Sequence, residues 1–318
     1  MKIRFWGTRG SIPVSLTTQD LRLKLGAALQ AANGRAFANR AEIDRFVAEL
    51  SFDISGTFGG HSSCVQLVTG RPEHFVLDLG SGARPLGQYM LAQYGPANPQ
   101  TYHVFMSHLH WDHIMGLPFF TPAYIPGNRV VIHSGHPHAE FALRRQQEDP
   151  SFPVGFEHLG ATIEFVVHTP GLAQTVAGVE VSLKKQRHGG DSYGWRFDDQ
   201  GKRVVYSTDS EHHVDDLAER ETFVEFFRDA DVVIFDAMYS LAEAVSVKAD
   251  WGHSSNTVGV EMCLAANAKR LLLFHHEPAY SDSQIQQICH ESQRYEQIMR
   301  EGNALEVNSA WDGLEVDC

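Results

Sequence analysis

Six residues, His108-Leu109-His110-Trp111-Asp112-His113, constrain this chain more than any other stretch. They follow an apolar run at 102–106 that reads as a buried strand. Three imidazoles and a carboxylate at the end of such a strand are costly to bury unless something satisfies them. Alternate residues of an extended segment point the same way, so His108 and His110 can grip one ion. A turn at Trp111-Asp112 aims Asp112 and His113 at a neighbouring ion. One run supplies at most two ligands to each, so the fold has to deliver the others from distant sequence.

Short apolar runs bounded by Gly, Pro and Asp supply the carriers. Strands are expected at 2–6, 63–69, 75–79 and 102–106, then at 129–133, 162–168, 179–186, 194–197, 203–207, 232–236 and 270–275. Polar side chains collect where these runs end. His188 lies just beyond one, Asp209 sits in Tyr206-Ser207-Thr208-Asp209-Ser210, and His275 closes the last, with His276 as its competitor. Helical periodicity puts Leu21, Leu25, Ala28 and Leu29 on one face and Ile43, Phe46, Val47 and Leu50 on another. Both faces lie in an insertion at about 16–55, a helical hairpin that serves as a lid or a dimer arm. Further helices are expected at 215–228 and 257–266. Another opens on a Ser281/Gln284 capping box, carries Ile285, Ile288, Cys289, Tyr295 and Met299 on one face and closes at Gly302.

Strands outnumber helices. The pattern predicts an α/β (α+β) chain, two packed sheets with helices outside, rather than a doubly wound parallel sheet. At 318 residues it reads as one domain, 1–318, carrying the insertion. The formal net charge of −13 disfavours a protein that tracks extended nucleic acid, yet leaves room for a small phosphorylated substrate held by metal ions. Four scattered cysteines, the absence of a signal-peptide pattern and the absence of 18 consecutive apolar residues imply free thiols and a cytoplasmic protein with no membrane span.

The run 108–113, a later His, an Asp in a Ser-Thr-Asp turn and a final His together resemble the metallo-β-lactamase superfamily. Other motifs are similar to the branch containing ribonuclease Z and the small cyclic phosphodiesterases. They are Phe5-Trp6-Gly7-Thr8-Arg9-Gly10-Ser11-Ile12-Pro13, Leu77-Asp78-Leu79-Gly80-Ser81-Gly82, Ser192-Tyr193-Gly194-Trp195-Arg196-Phe197 and Gly252-His253-Ser254-Ser255. The resemblance implies a four-layer αββα sandwich and a binuclear centre. One ion falls to His108, His110 and His188, the other to Asp112, His113 and His275, with Asp209 bridging and Asp78 steadying a ligand. Ligands without sulfur suit Zn²⁺, with Mn²⁺ or Fe as alternatives.

In such a centre two ions about 3.5–4 Å apart share a hydroxide that attacks the substrate. Asp112 would orient that nucleophile. His253, held charged by Asp236 or less readily by Glu211, would protonate the leaving group. Ribonuclease Z-like chains insert an arm for transfer RNA between the residues matching His188 and Asp209, and here those residues stand only 21 positions apart (209 − 188). That favours a small phosphodiester, a cyclic nucleotide or phosphoribosyl cyclic phosphate. The alternatives are an ester, thioester or lactone hydrolase and a tRNA 3′-end endonuclease. The pattern Gly-Gly-Asn-Thr/Ser-Ser-Cys reads Gly59-Gly60-His61-Ser62-Ser63-Cys64 here. His61 and Ser62 are candidate substrate contacts, or loop caps. Tyr193, with Trp195, either stacks on a base or packs in the core. A homodimer is compatible with the hairpin.

Overall fold

The computed structural model describes residues 1–212, 216–239 and 252–318. Two seven-stranded sheets form its centre. The first runs β14-β1-β2-β3-β4-β5-β6, with β1 Lys2–Gly7, β2 Cys64–Val68, β3 His74–Leu77, β4 Thr101–Met106, β5 Arg129–Ser134, β6 Thr162–Val167 and β14 Glu315–Asp317. The second runs β13-β12-β11-β10-β9-β8-β7, with β7 Gln174–Val176, β8 Val179–Gln186, β9 Ser192–Asp199, β10 Lys202–Ser207, β11 Val232–Asp236, β12 Arg270–Phe274 and β13 Glu306–Ser309. In each sheet four consecutive strands are parallel (β3 to β6, β10 to β13) and the remainder pair antiparallel.

Both faces of the central strands are buried, so they read as continuous apolar runs whose alternate residues serve different layers. Val232 and Ile234 of β11 join Phe5, Phe75, Phe105, Trp195 and Phe274 between the sheets. Val233 and Phe235 face the helices α7 (Leu217–Phe227) and α8 (Asn256–Ala265) outside. On the other side Val76, Val104 and Met106 meet α4 (Ala83–Tyr94) through Leu86 and Met90. The architecture is thus the expected αββα sandwich.

The insertion is helical, with α1 at Thr18–Ala31, α2 at Arg40–Glu49 and a short α3 at Phe52–Ser55. It is tied down by Lys24, whose ammonium donates to the Asp53 and Gly56 carbonyls and pairs with the buried Asp282 at 2.7 Å. Asp282 opens the last helix, α9 (Asp282–Met299), behind the Ser281/Gln284 capping box. That helix ends at Met299, before the expected stop at Gly302, and residue 215, where the pattern starts α7, lies outside the described residues. The helix α4 was not legible because Pro85 and Gly87 read as breakers. Pro85 falls in the first turn, where a missing N–H costs nothing, and a Cβ on Gly87 would come within 2.9 Å of Pro122. The four cysteines are free thiols. Among the described residues no helix is long and apolar enough to cross a membrane.

Between the sheets, away from the run 108–113, three buried imidazoles form a chain. His103 Nδ1 lies 2.9 Å from His133 Nε2, and His133 Nδ1 lies 2.8 Å from His168 Nε2. Burial lowers the pKa of all three, and their neighbours push His133 down to about 2. Groups kept neutral in the fold contribute stability that is complete above the ordinary histidine pKa of ~6.5 and is lost as the pH falls below it. Denaturant titrations should therefore show stability falling below pH ~6.5. His133→Gln, which takes up no proton, should flatten the slope by about 1 kcal/mol per pH unit.

Candidate metal centre

Every candidate ligand leaves a strand end at the same edge of the sandwich. His108, His110, Asp112 and His113 follow β4. His188 follows β8, Asp209 follows β10 and His275 follows β12. Three residues at these exits, Asp78, Asp209 and His275, have φ of 57°, 51° and 60°, the left-handed region that Asp and His tolerate better than most residues. That conformation turns each chain sharply as it leaves its sheet. Gly10 completes the wall beside His275, where a Cβ would lie 2.6 Å from the imidazole.

The side chains converge in two groups, His108, His110 and His188, and Asp112, His113, Asp209 and His275. Within each, the ligand atoms all lie within 4.8 Å of one another. Asp209 faces both. Its Oδ2 is 3.6 Å from His108 Nε2 and from His188 Nε2, while its Oδ1 is 3.2 Å from His113 Nε2 and 3.3 Å from His275 Nε2. Asp112 Oδ2 stands 3.2 Å from both His113 Nε2 and His275 Nε2. His276 turns away, its Nε2 bonded to the Ala310 carbonyl at 2.8 Å and its pKa lowered by burial and Arg9 to about 3. Of the two histidines, His275 is the one that faces the cluster.

This donor set suits cations. His108 Nε2 is buried with no hydrogen-bond partner, and His113 Nε2 and His275 Nε2 face each other at 3.3 Å. Burial and His113 push His108 well toward the neutral, ligating form, and burial and His188 do the same for His110. Burial opposes ionisation of Asp209, but His275, His113 and His108 outweigh it and hold the carboxylate well below its usual range. Burial likewise opposes a charge on His113, yet Asp112, Asp209 and Asp78 raise its pKa well above the ordinary value. Three carboxylates around it call for positive charge at this point, which a divalent ion would supply.

The ligands are themselves held. Asp78, fully buried, accepts from the Ser107 backbone N–H at 2.7 Å, the Ser107 hydroxyl at 2.6 Å, Tyr206 at 2.8 Å and His113 Nδ1 at 2.7 Å. His188 Nδ1 donates to the Gly252 carbonyl at 2.8 Å, freeing Nε2 for the cluster. His253 sits among the ligands, its ring 5.1 Å from that of His275 and 5.2 Å from that of His188, with Nδ1 2.7 Å from Asp236 Oδ2. Asp236 also accepts from the backbone N–H groups of Ser210 and Met238. Glu211, the weaker candidate partner, instead accepts from the Gly252 N–H.

Two expected substrate contacts are corrected. Ser62 is fully buried, its hydroxyl donating to the Asp112 carbonyl at 2.7 Å and accepting from the Ser81 N–H, so it braces the ligand loop. Tyr193 is 8 % exposed, packed edge-on to His136 with Gly135 beneath its ring, and Trp195 is wholly buried with its N–H on the Met106 carbonyl. His61 is half-buried, with Nδ1 3.1 Å from the Ser81 hydroxyl. Two further residues carry no signal of their own in the sequence. Asp312 accepts from the Gly60 and His61 N–H groups and so shapes that loop, but it looks like an ordinary turn residue in Trp311-Asp312-Gly313. Trp111, between the candidate ligands His110 and Asp112 in sequence, is 78 % exposed.

The family model described as the β-lactamase superfamily domain matches residues 80–276, well over half of the chain. This chain belongs to the metallo-β-lactamase superfamily. Ribonuclease Z of Geobacillus kaustophilus is 26 % identical over 235 residues, covering 60 % of this chain and 75 % of that protein. The fold is shared with the metallo-β-lactamase fold protein YhfI from Bacillus subtilis, at TM-score 0.64 and 18 % identity over 99 % of this chain and 98 % of that one. It is also shared with a diphosphatase from the PhnP family, at TM-score 0.59 and 19 % identity over 100 % of this chain and 97 % of that one. As a superfamily member the protein is a metal-dependent hydrolase. The Asp78→Asn variant should bind divalent metal 10–100-fold more weakly in competition with a chelator while keeping its circular dichroism spectrum.

Proposed function

We propose that this hydrolase cleaves a small phosphodiester, of the cyclic nucleotide or phosphoribosyl cyclic phosphate type. The pair His253–Asp236 carries the proposal, because a protonated imidazole beside the ligands provides the acid that an alkoxide leaving group needs. Burial opposes the charge on His253, but Asp236, then Asp209 and Asp112, overcome it and raise its pKa to about 9. His108, His110 and His188 would hold one ion and Asp112, His113 and His275 another, with Asp209 turning one oxygen to each. Divalent ions bound there, zinc or alternatively manganese or iron, would lower the pKa of water toward ~7 and offset charge on the phosphoryl oxygens.

The chain's own groups complete the reaction. Asp112, kept ionised by His113 and His275 against the cost of its burial, accepts a hydrogen bond from the attacking water and orients it. His253 directs its Nε2 proton to the departing oxygen, and Asp236 fixes the ring that does so. Trp111 offers the open aromatic face that Tyr193 and Trp195 lack, a surface on which a base can stack. His61 borders the loop beneath. Small size is supported by the connection from His188 to Asp209, which consists of a short loop, β9, the turn Gln200-Gly201 and β10, with no room for an RNA-gripping arm.

A screen of the metal-loaded enzyme against cyclic nucleotides, bis(p-nitrophenyl) phosphate, precursor tRNA, thioesters and lactones tests this reading. Turnover confined to the carbonyl substrates or to tRNA would overturn it. His253→Ala should lower kcat about 10²–10⁴-fold for alkoxide leaving groups and far less for p-nitrophenolate, which leaves without a proton. Equal losses on both would remove His253 from the role of acid. In the native enzyme kcat should fall at alkaline pH as His253 gives up the proton that Asp236 holds on it, and Asp236→Asn should move that fall to lower pH. Elemental analysis should find two ions per chain in the native protein and about one in His188→Ala.

A further inference from the structure

A buried amide ends β8, two positions before the candidate ligand His188. Gln186 is 2 % exposed, and its side chain reaches past the neighbouring strand. Nε2 donates to the Thr208 carbonyl at 2.7 Å and to the Ser192 hydroxyl at 3.3 Å, while Oε1 accepts from the Ser207 hydroxyl at 2.6 Å. The Ser192 hydroxyl donates in turn to the same Thr208 carbonyl at 3.3 Å. Ser192, Ser207 and Thr208 are wholly buried. An amide at such depth is costly unless paired, and here both of its polar atoms are.

The strand β9 lies between β8 and β10, whose axes are therefore about 9.6 Å apart. One side chain spans that gap only where β9 leaves its path open. Gly194 does so. A Cβ on it would stand 2.5 Å from Gln186 Oε1, with Phe226 of α7 at 3.2 Å leaving the methyl nowhere to go. Two residues of the motif at 192–197 thereby gain a common purpose: Ser192 receives the amide and Gly194 makes room for it.

What the amide grips is the peptide that leads into Asp209. The Thr208 carbonyl and the Asp209 nitrogen belong to one rigid plane. Beyond that plane the chain turns into the left-handed region at Asp209, whose φ is 51°, and the Thr208 hydroxyl donates to Asp209 Oδ1 at 2.7 Å. We infer that Gln186 is a positioning residue for the metal centre, passing over β9 at Gly194 to fix the Thr208 peptide and so aim the carboxylate of Asp209 between the two ligand groups. The inference rests on the reading of Asp209 as a carboxylate shared by both groups.

Metal affinity, measured by competition with a chelator, tests it apart from turnover. Gln186→Met keeps the length and bulk of the side chain without its hydrogen bonds, and should bind Zn²⁺ at least tenfold more weakly than the native chain. Gly194→Ala leaves every polar group in place but puts a methyl in the path of the amide, and should weaken binding to a similar degree. Because both act on one crossing, the double variant should lose no more than Gln186→Met alone. Circular dichroism of the metal-free proteins should match the native spectrum in each case. Affinity within about twofold of native in Gln186→Met would overturn the inference, as would losses that add in the double variant. A native chain that binds a single ion would overturn the two-ion reading instead, and tenfold weaker binding of that ion in Gln186→Met would still support the role of Gln186.

Discussion

The buried carboxylate of Asp78 is the point on which the rest of the architecture turns. Placed without partners between two sheets, it would cost several kcal/mol. It is satisfied by four donors from three places: Ser107 twice, His113 and Tyr206. Asp78 leaves β3 in one sheet and Tyr206 belongs to β10 in the other, so the same contacts that solvate the charge fix how the sheets face each other. Burial together with Asp78 raises the Tyr206 pKa well above its ordinary value, which keeps the phenol a donor. The His113 ring is thereby pinned by Nδ1, with Nε2 turned to the ligand cluster.

From this hub the site follows by topology. Parallel strands in each sheet end at one edge, and the sharp turns at Asp78, Asp209 and His275 aim their side chains back toward it. A backbone in the left-handed region costs of order 1–3 kcal/mol per residue where the side chain disfavours it, and such positions persist only where surrounding contacts hold them. Here the hydrogen bonds of Asp78 and the close contacts of Asp209 with His113 and His275 do so. Asp236 extends the same logic one strand further. It leaves β11, is fixed by two backbone N–H groups and holds His253 against the ligands.

The sandwich, and the meeting of the candidate ligands at one edge of it, could be read from the chain because both rest on local pattern. Apolar runs report strands buried on two faces, and polar residues at the ends of those runs report a common edge. What the chain does not display depends on contacts distant in sequence. Ser62 and Tyr193 look available as letters, but their burial is decided by Ser81, Asp112 and His136. Asp312 reaches the Gly60-His61 loop across 251 positions, and no spacing rule could announce it. The strands Gln174–Val176, Glu306–Ser309 and Glu315–Asp317 were invisible because they are short and partly polar, and they become strands by pairing with edges already present. The choice between His275 and His276 turned on which ring found a backbone carbonyl, which a sequence does not display.

Each of the two ligand groups draws on both sheets. His108 and His110 come from the first and His188 from the second, while Asp112 and His113 come from the first and Asp209 and His275 from the second. Neither half of the chain contains a complete set. A cation held by either group would act as a clasp across the sandwich, so that one sheet could not peel from the other without surrendering it. In such an arrangement the loss of metal and the separation of the halves would become one cooperative event, and a slowly exchanging ion would double as resistance to unfolding.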